Sequence, residues 1–127
     1  MPRSTDRPKA DQPEIVDLAL ELFEPLGGVT ARRMFGGWGF HHQGMMFALI
    51  AADTLYLKAD AVNRPAFEAV GMPPFHYEAR GRQIVLPYRQ APPEALEDAA
   101  LMLPWARGAV DAALRAATRK PKKRSSH

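Results

Sequence analysis

The sequence predicts an α+β fold: an antiparallel sheet of about six strands, a meander followed by a hairpin, packed with N-terminal, middle and C-terminal helices. Three observations carry this. An apolar helical period early in the chain gives way after Gly27-Gly28 to short runs of a different period. Four such runs follow one another with only turn residues between them, which leaves no room for a crossover and makes neighbours antiparallel. The last third is rich in alanine, the strongest helix former.

The first helix opens near Pro13, which suits a helix's first turn, with Asp11 or Gln12 as the nearest cap and Asp11 the better one. Ile15, Leu18, Ala19, Leu22 and Phe23 form its apolar face, while Glu21 and Glu24 point away. Pro25 and the Gly27-Gly28 pair end it.

The meander runs through 29–35, 38–42, 45–50 and 54–59. Gly36-Gly37 reads as a turn with freedom at positive φ, and Gly44 and Asp53 sit in the next two turns. The run MMFALI at 45–50 is nearly all apolar, so its strand is buried on both faces or covered by a helix on one.

Asp60 can cap a helix across 61–70, but Pro65 would then lie inside it; a start at Asn63 or Arg64 puts Pro65 in the permissive first turn and is preferred. Phe75, Tyr77 and Ala79 alternate with polar residues up to Gly81, and 82–86 follows as the second strand of a hairpin. Pro87 marks the end of that strand or an edge, and 87–93 reads as a linker. A helix opened by Pro93 and Glu94 shows Leu96, Ala99, Ala100 and Leu103 on one face. Pro104 breaks or kinks it, and helix resumes to about 118.

The 127 residues suit one domain, expected at 13–118 between a flexible segment at 1–12 and a basic flexible tail at 119–127. Residues 13–114 hold eight Lys or Arg against twelve Asp or Glu; 115–127 hold six basic residues and no acidic one. The basic character therefore belongs to the ends. The absence of cysteine excludes disulfides and thiolate metal sites and fits a reducing, cytoplasmic setting. The start has no apolar signal core, and no stretch is long and apolar enough for a bilayer.

Chemistry finds little to use. The serines are Ser4, Ser125 and Ser126, all in the end segments, so a serine or cysteine nucleophile inside the fold is excluded. The glycines at 36, 37 and 39 match neither phosphate-binding fingerprint. His41 and His42, adjacent in a strand, point to opposite faces, and His76 with Glu78 could approach only one of them, so no metal, cofactor or catalytic residue is assigned.

Surface contact offers more. Trp38, among glycines, is the aromatic expected to be most exposed. Arg32 and Arg33 straddle the faces of the first strand, so one points inward or the strand lies at an edge. Lys58 shares a face with Tyr56 and can form a cation–π contact or snorkel. Arg33, Trp38 and Lys58 are the candidate partner-binding residues. Arg119, Lys120, Lys122, Lys123 and Arg124 are candidates for nucleic-acid contact by counterion release.

In order along the chain, RRMFGGWGF, GMMFALI, TLYLKAD, Phe67 with Gly71, and PFHYEARGRQIVLPYRQAPPEALEDAALMLPWARGAVDAA resemble the N-terminal domain of the TfoX/Sxy family of competence regulators over about 14–114. The resemblance implies an α+β domain with an antiparallel sheet and no catalytic residues, in regulators of natural transformation thought to act with a cyclic-AMP-responsive transcription factor. Those regulators carry a second domain, whereas this sequence resembles the stand-alone members. Of the matched positions, Arg33 and Lys58 are the polar ones that packing does not require. The expectation is a non-enzymatic regulatory or adaptor domain that binds a protein partner, in transcription or competence regulation. The alternatives are weak, sequence-independent nucleic-acid binding through the tail, and a small metal-binding or enzymatic protein; a homodimer is also open.

Overall fold

The computed structural model describes residues 12–34 and 36–125, with side chains as far as Arg119. The expected cap Asp11 and the segment before it lie outside the described residues.

Helix α1 spans Glu14–Leu22 and a 3-10 turn follows at Glu24–Leu26, with Pro25 in its first positions. Pro13 occupies the cap position without a side-chain hydrogen bond; Gln12, the weaker cap candidate, donates from Nε2 to Asp17 Oδ1 at 2.6 Å. The buried face of α1 is Val16, Ala19 and Leu22, with Phe23 just beyond, while Leu18 stays 43% exposed.

Six strands make one antiparallel sheet: β1 Val29–Met34, β2 Gly37–His42, β3 Met45–Ala51, β4 Thr54–Lys58, β5 Pro74–Ala79 and β6 Arg82–Gln90. Their order is β1-β2-β3-β4-β6-β5, so the expected meander and hairpin join through β6. Helix α2, Arg64–Ala69, connects β4 to β5, with Pro65 in its first turn as preferred. A 3-10 turn at Pro93–Leu96 leads to the long helix α3, Ala99–Ser125.

The β2–β3, β3–β4 and β5–β6 turns each place two residues at positive φ: Gln43-Gly44, Ala52-Asp53 and Arg80-Gly81. That is the tight hairpin geometry whose twist matches the strands. Gly36 also has positive φ, but Gly37 belongs to β2 and is needed for another reason: a Cβ there would run into the Ile50 carbonyl oxygen.

Strand β6 does not end at Pro87. Before it, β6 pairs with β5 through Phe75–Leu86; after it, Pro74–Arg89 continues the β5 pairing across a shift, while Lys58–Tyr88, Leu57–Arg89 and Tyr56–Gln90 pair with β4. The register shift at Pro74/Phe75 leaves Pro87 where its missing N–H interrupts no ladder bond, a bulge position that tolerates proline. Its carbonyl accepts from Ala59 N–H at 2.9 Å.

All helices pack on one face of the sheet, with α3 across β3 and β4. Phe23 stands edge-on to Phe40 and Phe47, at 5.4 and 4.8 Å between ring centres, and Phe67 meets Trp105 at 5.0 Å. The face of α3 that reaches the core is Met102, Ala106, Ala109 and Ala113; Ala109, Ala112 and Ala113 are buried as their spacing suggests, whereas Ala100 and Leu103 lie about a quarter-turn or more around the axis, exposed and half-buried. The buried alanines let the helix lie close to the sheet. Asp98 caps α3, its Oδ1 accepting from Leu101 N–H at 2.9 Å. The helix runs through Pro104 because the proline and Ala100, whose carbonyl loses a partner, both face solvent. It also runs past 118 into the basic segment, since Lys and Arg are good helix formers and cations suit a helix C-terminus. Among the described residues, no helix is long and apolar enough to cross a membrane.

Candidate functional site

Arg33 and Trp38 are direct cross-strand neighbours on β1 and β2, and the Arg33 guanidinium carbon lies 5.4 Å from the Trp38 ring centre. Strand β1 is an edge strand, so neither arginine points into the core; Arg32 and Arg33 are both exposed. Contrary to expectation, Trp38 is not the most exposed aromatic: one side of it packs against the core beside Ile50 and it is half-buried, whereas Tyr77 is 45% exposed. A guanidinium over an indole is the stronger form of cation–π contact, and it presents Arg33 at the sheet edge with its orientation held.

Lys58 lies elsewhere. Trp38, Ile50 and Leu55 pair in a row, so they share the helix-bearing face; Tyr56 and Lys58, of opposite parity to Leu55, look out from the other face. The Lys58 ammonium sits 5.1 Å from the ring centre of Tyr88, its direct partner on β6, and not over Tyr56 as its strand alone suggests. Tyr56 instead meets Phe75 at 4.7 Å. Burial lowers the Lys58 pKa, with Asp60 pulling the other way, and burial pushes the Tyr88 phenol up to about 12. The structure thus joins two of the three candidates and sets the third on the opposite face.

The sequence reading missed a polar network at the end of β4. Asp60 Oδ1 accepts from Val62 N–H at 3.0 Å, and Asn63 accepts from Asp60 N–H at 2.7 Å while donating to the Lys58 carbonyl at 3.0 Å. Arg115 on α3 closes the network on Asp60, and its hydrogen bonds, ahead of those from the backbone, hold the Asp60 carboxyl at a pKa of about 2. An Asp-x-x-Asn step after a strand signals such a turn, but nothing local points to Arg115.

His41 and His42 lie on opposite faces, and the Nδ1 atom of each is buried without a partner. Burial, then the charge of Arg32, lowers the His41 pKa. Among the described residues, no three His, Cys, Asp or Glu gather as a metal-holding group, and no polar residue is fully buried. A groove of about 150 Å³ between α1 and the β3–β4 turn, lined by Ile15, Leu18, Leu22, Leu55 and Leu96, is small beside ordinary cofactor sites. A second hollow, about 350 Å³, opens broadly beside Pro87. Of the basic candidates, Arg119 is exposed near the end of α3; the side chains of Lys120, Lys122, Lys123 and Arg124 lie outside the described residues.

The family model described as the TfoX N-terminal domain matches residues 21–113. Comparison with curated proteins finds no match.

Proposed function

We propose that this chain, which belongs to the TfoX N-terminal domain family, is a non-enzymatic regulatory or adaptor domain that holds a protein partner at the sheet edge marked by Arg33 and Trp38. The observation that carries the reading is the stacked pair itself. Arg and Trp are the residue types that dominate protein interfaces, and here an exposed arginine is held on a half-buried tryptophan. A pre-oriented arginine loses less freedom on binding than a mobile one. Family membership supports the regulatory part of the reading.

Because Arg33 and Lys58 lie on opposite faces, single variants separate their roles. Affinity capture from the native cell is run with the wild type, Arg33→Ala and Lys58→Ala. A partner recovered by the wild type and Lys58→Ala, but reduced at least tenfold with Arg33→Ala, supports the reading. Equal recovery by all three folded proteins rejects it.

A further inference from the structure

We propose that the helix-free face of the sheet is a second binding site, and that its ligand is single-stranded nucleic acid. This goes beyond the protein contact at Arg33 and uses none of the residues assigned to it.

Charge is segregated in this fold. The six strands hold Arg32, Arg33, Lys58, Arg82 and Arg89 but a single acid, Glu78. The remaining carboxylates of the described residues belong to helices and connections. Register places the cations by face. Arg32, Gly39, Leu49 and Tyr56 pair in one row across β1 to β4, on the side away from the helices. Lys58 follows Tyr56 on that side. Arg82 pairs with Ala79, which shares a face with Tyr77. Glu78, alternating with Tyr77, stands on the other face. The open face therefore carries Arg32, Lys58 and Arg82, and none of its strand positions holds a carboxylate.

The same face carries rings. Tyr56, Phe75 and Tyr77 form a continuous array, with centres 4.7 and 6.2 Å apart, and Tyr77 is 45% exposed. Leu49 and Tyr88, 4% and 6% exposed, sit under this surface as a floor outside the main core. The buried side chains of the helices gather with Phe40, Ile50 and Leu57 on the opposite face, which leaves this one without a helix among the described residues.

Rings flanked by cations on an open sheet match what a single strand presents: unpaired bases that stack, and phosphates that seek positive charge. A duplex hides its bases, and a flat sheet face does not enter its grooves. An acidic protein segment answers the cations but has no use for the aromatic array.

The test is fluorescence anisotropy of the full chain with a labelled 20-nucleotide oligo(dT) and oligo(rU) at rising salt. Three phosphate contacts predict a slope of log affinity against log salt of about −2, and Arg32→Gln should make it shallower by about 0.7. Tyr77→Ala should weaken binding roughly tenfold while Tyr77→Phe preserves it, since stacking needs the ring and not the hydroxyl. A variant with Lys120, Lys122, Lys123 and Arg124 changed to Gln should still bind. No binding, affinity unaffected by Tyr77→Ala, loss of binding in the Gln variant alone, or equal binding of duplex DNA or a polyglutamate peptide each overturns the proposal.

Discussion

Arg115 closes on Asp60 with two hydrogen bonds, Nε to Oδ2 at 2.7 Å and Nη2 to Oδ1 at 2.9 Å, across 55 positions of sequence. The pair ties the end of β4 to the long helix and so holds the sheet against its main cover. Asp60 also orders the turn before α2 through the backbone of Val62 and Asn63.

The pair has a pH signature. Asp60 has its pKa lowered from 3.8 to about 2 in the folded chain, so the stability it contributes is full above about 4 and fades as pH falls through 2. Discounted for solvent screening, its contribution is about 1 kcal/mol. Urea unfolding of wild type and Asp60→Asn should therefore differ by about that amount at pH 7, and the difference should shrink as pH falls from about 4 through 2.

Two glycines should respond in opposite directions to alanine. At Gly37 a Cβ would strike the Ile50 carbonyl oxygen of the neighbouring strand, and Gly37→Ala should cost about 2 kcal/mol or more, as overpacking does. At Gly108, inside α3, the nearest atoms a Cβ would meet are on Asn63, 3.6 Å away. Gly108→Ala should stabilise by about 0.5–1 kcal/mol through helix propensity. Thermal or urea midpoints of the two variants check this directly.

Ala52 occupies the left-handed region at φ 50 in the β3–β4 turn. That conformation costs an L-residue about 1 kcal/mol or more, and glycine avoids it. Ala52→Gly should raise the urea midpoint, whereas Ala52→Val, β-branched in the same conformation, should lower it.

The meander was legible because its turns are short and each strand's apolar pattern is local. The start of α2 followed from one rule about proline in a helix's first turn. The first part of β6, 82–86, was legible as the second strand of the hairpin, but its continuation to Gln90 was not, because Pro87 stops a strand unless a register shift removes the need for its N–H, and that shift depends on β5. The partner of Lys58 was hidden for the same reason: Tyr88 faces it only because β6 continues past the proline. The Arg33–Trp38 pair was half legible. Both residues stood out in the sequence, yet their contact needs the β1–β2 register. Arg115 carried no local signal, since its role arises only where α3 crosses the end of β4.

The central claim, that the Arg33–Trp38 edge holds a protein partner, is tested most directly by photo-crosslinking in the native cell. Trp38 is replaced by benzoylphenylalanine, which keeps an aromatic group beside Arg33, and the same probe is placed at Ala117, exposed on α3. The account predicts a discrete protein adduct from position 38 that is absent from position 117 and disappears when Arg33→Ala is added. The same adducts from both positions, or an adduct at 38 that persists without Arg33, would contradict it.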